Sequence, residues 1–337
     1  MGHATRSSVL IEKLQKNGDR VVVLAEGNAA RYIKLRFPEI DVRSYPFFEM
    51  RYSPGVWLLP RVGFQLFPFI KSLKKEKKIA ELLVKELEPD LIISDNRYGF
   101  YHPSIPSYLL CHQLHLSPPL LKNTINNRYR KWLGNFNEIW VPDYPGSGNL
   151  SGNLSRSIYQ TPPLKYIGPL TALQKPAQEF DKDIDVLGVI SGPEPGRKKF
   201  EIEMRKLFSK LQRDQGLRTH LILGKSFSGI GPERENPNEE DFAGPEKLSQ
   251  LAAGARLIIS RSGYSSIMDY HMLESNCLMI PTAGQPEQEY LANYHYSHGN
   301  IHLMQENEMN LSVVVKALET PRKIIVENNK GISLFEA

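Results

Sequence analysis

Short apolar runs alternate along this chain with longer stretches in which apolar residues recur every three or four positions. The runs at 21–25, 91–94, 107–110, 138–141, 185–190, 219–223, 257–260, 277–281 and 301–304 predict strands. Helical spacing covers 7–17 (Val9, Leu10, Ile11 and Leu14 on one face), 77–87, 123–138, the stretch up to Gln215, those ending at Gly254 and near Leu273, one opening at Pro286, and 310–319. Gly18 is a fair stop for the first helix, and Pro286 suits a first helical position with Glu287 and Glu289 in the first turn. Strands alternating with helices imply parallel sheets covered by helices, and no repeat of solenoid length interrupts the pattern. In such sheets ligands gather at the carboxyl ends of the strands.

Length divides this pattern further. A chain of 337 residues can form two ordinary cores, so two domains are expected. The Pro/Gly/Ser-rich segment 142–169 is the candidate linker. With 41% hydrophobic and 23% charged residues and no apolar run of spanning length, the composition is that of a soluble globular protein. No secretory signal pattern opens the chain, and Cys111 and Cys277 lie in apolar contexts far apart, which reads as two free thiols and a cytoplasmic location. Residues 1–168 carry 23 Lys+Arg against 14 Asp+Glu and the rest 19 against 23, so different partners are expected for the two halves. An aromatic, proline-rich stretch at 45–70 leads into Lys71, Lys74, Lys75, Lys77 and Lys78. That run is either a solvated helix face or a peripheral contact with an anionic membrane at Lys71–Lys78; no nucleic-acid motif accompanies it.

Candidate chemistry concentrates at strand ends. After 257–260 come Arg261, Ser262 and Gly263, then Ser265 and Ser266 at a helix start, where free N–H groups and hydroxyls suit a phosphate. Ser266-x-x-Asp269 also matches a capping box. After 185–190 comes the turn Ser191, Gly192, Pro193, Glu194, Pro195, Gly196, Arg197, which is neither a P-loop nor a dinucleotide fingerprint; Arg197 could pair with phosphate. The strand 91–94 ends in Asp95, Asn96 and Arg97, and 107–110 ends in Cys111 and His112. Cys111-His112-x-x-His115 lacks a second ligand cluster, so no metal is expected.

The segment 256–293 as a whole resembles the donor-binding region of the MurG-like glycosyltransferases, glycosyltransferase family 28 with the GT-B fold. The matching residues are Ser262-Gly263, Asp269, Pro281, Gln285, Gln288 and Asn293, with Glu274 and Asn276 standing where the family often has Gly and Pro. The strings at 94–99, 191–195 and 260–265 resemble an uncharacterised subgroup of that family. The resemblance implies two Rossmann-like parallel-sheet domains facing a cleft: 1–168 on the acceptor side, 169–318 binding a nucleotide sugar, and 319–337 packing back on the first. Gly2-His3 resembles the end of a glycine-rich turn that a strand precedes in the family, so the chain is expected to lack the first strand of that domain. The implied activity is inverting, metal-independent transfer of a sugar, with a UDP-sugar as substrate and no cofactor, to an unknown acceptor, a lipid-linked one being among the options. The turn residues Ser262 and Gly263 would sit at the diphosphate, Asp269 at the ribose and Gln285 and Gln288 near the sugar. Ser191, Gly192, Glu194, Arg197, Arg261, Ser265 and Ser266 complete the donor set. Asn96, Arg97 and His112 stand on the acceptor side. His3 is the family-matched base and Asp95 the alternative, each also explicable as a structural residue. A sugar-nucleotide 2-epimerase of the same fold and a non-catalytic nucleotide-sugar-binding protein are the competing readings.

Overall fold

The computed structural model describes residues 2–45, 58–114, 122–156, 162–178, 180–225 and 237–326, with side chains from 68 and 124 onward in the helices that begin at 58 and 122. In chain order the elements are α1 (Gly2–Lys16), β1 (Val22–Leu24), α2 (Gly27–Arg36), β2 (Asp41–Arg43), α3 (Leu58–Leu87), β3 (Ile92–Asp95), β4 (Ser107–Leu110), α4 (Lys122–Leu133), β5 (Glu138–Val141), β6 (Leu164–Tyr166) and β7 (Ile184–Val189). They continue with α5 (Gly196–Gln215), β8 (Thr219–Ile222), β9 (Glu239–Glu240), α6 (Pro245–Gly254), β10 (Ala255–Ser260), α7 (Tyr264–Met272), β11 (Cys277–Met279), α8 (Pro286–Ser297), β12 (His302–Leu303) and α9 (Leu311–Glu319). Residues 46–57 of the aromatic stretch, His115, much of the loop 224–244 and the end of 319–337 lie outside the described residues. Among those described, no helix is long and apolar enough to cross a membrane.

The chain forms two compact units, each described by itself. One comprises Met1–Ser44 with Thr171–Ile325, the other Tyr45–Leu170 with Val326–Ala337. This differs from the expected division at 168/169 and 318/319 chiefly in where Met1–Ser44 goes. The physical reason is packing: α1 lies against α7, and Phe242 joins the apolar cluster of Ala4, Ile11, Tyr32, Ile33 and Ile40.

The larger unit holds a six-stranded sheet in the order β12-β11-β10-β7-β8-β9, all parallel, beside a separate parallel pair β1-β2. Its central strands are apolar on both faces, as parallel strands between helices must be. Val186, Ile190, Leu257, Ile259, Leu278 and Ile280 pack against Phe200, Met204, Leu207, Phe208 and Leu211 of α5 and Val314, Ala317 and Leu318 of α9. Each such fully buried side chain contributes roughly 1.5–3 kcal/mol. Helix α5 presents these residues at helical spacing and ends at Gly216, whose φ of 63° turns its N–H back to the carbonyls of Gln212 and Leu211.

The smaller unit holds a four-stranded parallel sheet, β3-β4-β5-β6. Leu109, Cys111, Ile139 and Val141 pack against Tyr129, Leu133 and Phe136. On α3, Ser72, Glu76, Ala80 and Leu83 are buried while Lys71, Lys74, Lys75 and Lys78 are exposed, the arrangement of an amphipathic helix with an outward basic face, which both readings of the lysine run share.

The candidate linker 142–169 is instead built into this sheet. Fully buried Asp143 accepts hydrogen bonds from the backbone N–H groups of Tyr144 (2.7 Å), Leu150 (2.9 Å) and Ser151 (2.8 Å) and from the Ser151 hydroxyl. The glycines and serines wrap that carboxylate, and the chain then returns as β6 alongside β5. A buried carboxylate is tolerable only when so many donors face it.

Candidate functional site

All strands of the larger sheet end on one edge. Val189 pairs with Ser260 and with Ile222, and Ser260 with Met279. The turns that begin at Ser191 and Ser262 therefore follow neighbouring parallel strands, and the structure brings these two corners together. Helix α5 opens after the first and α7 after the second.

Gly263 precedes α7 with φ −70° and ψ 149°, a conformation open to any residue, and a Cβ built on it would meet nothing within 4 Å. Neither backbone nor neighbours demand glycine there. Gly192 also faces open space, with φ +115°. Gly192 is exposed and Gly263 half-buried, and at both corners the space beside the backbone is open, as close approach by a ligand requires.

Several sequence candidates are held in structural roles. Ser262 is buried and its hydroxyl donates to the Gln288 carbonyl at 2.9 Å. The Gln288 side-chain oxygen accepts from the Thr282 N–H at 2.9 Å, closing the turn before α8. Gln285 is the N-cap of that helix, its carbonyl accepting from the Glu289 N–H at 3.0 Å while its own N–H donates to the Thr282 carbonyl at 3.0 Å. Asn293 is exposed and donates to the Glu289 carbonyl at 2.8 Å.

The two arginines proposed for phosphate are both engaged. Arg261, 3% exposed, donates to the carbonyls of Ile280 (3.3 Å) and Pro281 (3.1 Å), pairs with Glu306 at 3.0 Å and stacks 3.8 Å from the Phe200 ring. Burial lowers its pKa and Glu306 opposes that shift. It is a strut joining the ends of β10 and β11. Arg197 pairs with Glu194 (2.6 Å) and Glu201 (2.9 Å) and donates to the Leu223 carbonyl at 2.9 Å. Two carboxylates offset its charge, so it tethers the end of β8 to the turn before α5.

Asp269 lies on the second turn of α7. The capping-box reading fails, because Tyr264 begins the helix, Gly263 occupies its N-cap and no side chain caps it. Asp269 is half-buried and accepts a hydrogen bond from the Thr171 hydroxyl at 2.5 Å. Burial pushes its carboxyl up to about 7 against the opposing effect of that bond. Thr171 lies 98 residues away in sequence and the motif gave no sign of it. Ser266 sits on the first turn of α7, half-buried.

The start of α1 meets this corner. A Cβ on Gly2 would lie 2.7 Å from the Ser265 hydroxyl, so the two helix beginnings touch. His3, on the first turn of α1, is exposed, and its Nδ1 lies 2.8 Å from Nη2 of buried Arg6.

A further glycine escaped the sequence reading. Gly224 follows β8 with φ +59°, and a Cβ on it would lie 2.0 Å from the Ile190 carbonyl oxygen and 3.8 Å from the Ser191 Cα. Its missing side chain lets the Ser191 turn pass. Only its position after an apolar run could have marked it.

In the smaller unit, Asp95 ends β3 opposite Leu110 of β4, so Asp95, Asn96 and Arg97 share a sheet edge with His112. The Asn96 N–H donates to the Leu110 carbonyl at 3.1 Å, and Arg97 lies 3.7 Å from Glu76. Burial raises the Glu76 carboxyl, with Arg97 pulling the other way. His112 is buried. Cys111 and Cys277 are free and buried. Among the described residues, no group of three His, Cys, Asp or Glu could hold a metal ion.

No protein-family profile and no curated protein matches the chain in sequence. Solved structures do match in shape. The kitacinnamycin glycotransferase is similar at a TM-score of 0.61 with 14% identity, over 95% of this chain and 88% of that one. The spinosyn rhamnosyltransferase SpnG, solved with thymidine diphosphate, is similar at 0.55 with 12% identity, over 94% and 86%. MurG of Acinetobacter baumannii is similar at 0.50 with 12% identity, over 95% and 92%. Alternating strands and helices in two parallel-sheet units, matched over nearly the whole chain by these transferases, give this protein the GT-B fold.

Proposed function

We propose that the chain transfers a sugar from a nucleoside diphosphate, with UDP as the expected nucleotide, to an acceptor hydroxyl, with inversion and without a metal ion. The observation that carries this reading is the pair of adjacent corners at Ser191–Gly192 and Ser262–Gly263, where Gly263 answers to no demand of conformation or packing. A diphosphate approaching that backbone supplies the missing demand. The amino ends of α5 and α7 offer N–H groups and positive dipole ends to the leaving diphosphate, an arrangement that stabilises charge as it develops. Both arginines being paired, backbone carries this role in the reading. Support for a nucleoside diphosphate also comes from the spinosyn enzyme of the same fold, which was solved with one. In this reading Asp269 accepts hydrogen bonds from the ribose hydroxyls and Gln285 and Gln288 frame the sugar, while His3 and Asp95 stay the two candidates for the base and Asn96, Arg97 and His112 the acceptor-side candidates.

Incubating the full chain with a panel of UDP-sugars, with and without hydroxyl-bearing acceptors, tests the reaction. Acceptor-dependent release of UDP is the expected result. An epimerised sugar nucleotide formed without acceptor would make the protein an epimerase instead, and binding with neither product would make it a sugar-nucleotide-binding protein.

A further inference from the structure

Thr171 is the first residue of the larger unit, and its hydroxyl stands in a short relay that ends on Asp269. A hydroxyl has one proton to give and two lone pairs to offer. The Leu173 N–H donates to Thr171 Oγ1 at 3.0 Å, and the hydroxyl in turn donates to Asp269 Oδ1 at 2.5 Å. The segment that follows is fastened to the same unit. Leu173 is buried, the Gln174 N–H donates to the Ser249 hydroxyl at 3.2 Å, and Lys175 pairs with Glu274 at 2.9 Å. Thr171 is therefore a fixed donor rather than a passing one. Among the described residues it is the one hydrogen-bond partner of Asp269, so three of the carboxylate's four lone-pair sites remain for a ligand. The charged groups nearby are otherwise occupied: Lys175 and Glu274 neutralise each other, and His271 bonds to the Ile324 carbonyl at 2.9 Å. Tyr270, next in the chain, is held neutral by burial. Burial alone would thus keep Asp269 protonated, and the Thr171 bond is what opposes it.

We propose that Thr171 is a positioning residue: its hydroxyl holds one oxygen of the Asp269 side chain and favours the ionised form, leaving the other acceptor sites to the ribose hydroxyls of the donor. The ribose contact rests on the proposed function; the hold on Asp269 does not.

Carbon-13 NMR of the full chain labelled at the aspartate carboxyls, with Asp269 assigned by its loss in Asp269→Asn, reads its protonation directly. Thr171→Val keeps the branched shape and removes the donor, so it should move the Asp269 midpoint up from about 7 by roughly one pH unit. Thr171→Ser keeps the hydroxyl and should hold the midpoint near its natural value. An unmoved midpoint in Thr171→Val would overturn the proposal. Titration with UDP supplies the second test. In Thr171→Val the rise of affinity with pH should shift upward by the same interval, with binding at pH 7 weakened roughly fivefold, and Thr171→Ser should restore both. Equal loss of affinity in the two variants, with the pH dependence unmoved, would reduce Thr171 to a packing residue and refute the proposal. Failure of the natural chain to bind any nucleoside diphosphate would refute the ribose role and the proposed function together, while the NMR midpoints would still decide the hold on Asp269.

Discussion

Replacing Gly224 with alanine is expected to lower the melting temperature by roughly 10 °C, taking about 2–4 °C per kcal/mol for a unit of this size, and to abolish nucleotide binding. Two costs combine. A residue with a Cβ held at φ +59° is penalised by about 1–2 kcal/mol, and the Cβ would lie 2.0 Å from the Ile190 carbonyl oxygen, a backbone atom that cannot swing aside. Relieving the overlap strains the turn by about 1–3 kcal/mol more. The displaced segment is Ile190–Ser191, the approach to the first diphosphate corner, so binding should fail even where the variant remains folded. Scanning fluorimetry with a UDP titration well below the transition separates the two effects. An unshifted melting temperature would mean that the β8 end does not confine this turn as described.

The second large effect concerns Asp269. Its carboxyl is held up at about 7 by burial, well above the ordinary aspartate range. The folded state thus prefers the protonated form. The stability this contributes is fully present below the unfolded pKa near 4 and is lost as pH rises through about 7. The full difference is on the order of a few kcal/mol. Asp269→Asn keeps a partner for the Thr171 hydroxyl and removes the titration, so it should be more stable than the natural chain at pH 8 and similar at pH 4. Binding runs the opposite way. If ionised Asp269 accepts from two ribose hydroxyls, UDP affinity should rise with pH through about 7 and then level off. The amide oxygen and N–H of asparagine cannot reproduce a two-acceptor contact, and a loss of tenfold or more is expected, at about 1.5–3 kcal/mol for a bond to a charged group. The difference between the two proteins cancels the titration of the ligand's own phosphate. Parallel pH profiles for both would remove Asp269 from the ribose.

Much of the frame was legible in the chain itself. The runs at 107–110 and 138–141 match β4 and β5, because apolar strands packed on both faces leave continuous patterns. The alternation around Ser262 and Pro286 foretold α7 and α8 for the same reason. Strands β2, β6 and β9 were not legible. They are two or three residues long, only partly buried and at sheet edges, so no periodicity marks them. Helix α1 begins at Gly2, earlier than its apolar spacing implies: Gly2 packs where a Cβ would meet the Ser265 hydroxyl, and Ala4 is buried, and residues this small leave no apolar periodicity. The segment 142–169 carried the composition of a linker because Asp143 needs small, flexible residues around it to deliver backbone donors.

Within the candidate site, residue types were easier to read than roles. Arg261 looked like a phosphate ligand because its carboxylate partner, Glu306, lies 45 residues onward. Thr171 carried no motif, since it acts through a contact that only the folded chain makes. Glycine was the more reliable signal: Gly263 and Gly192 were legible as turn residues, and the structure adds that the space beside them is open.

The central claim is that bare backbone at the β7 and β10 corners receives a diphosphate. Calorimetric titration of UDP into the natural chain and into Gly263→Val tests it most directly, since valine adopts φ −70° and ψ 149° without strain and a Cβ there meets nothing within 4 Å. The account predicts an unchanged melting temperature for the variant and at least tenfold weaker binding, about 1.4 kcal/mol or more. A variant that binds UDP as tightly as the natural chain, or a natural chain that binds no nucleoside diphosphate, would contradict it.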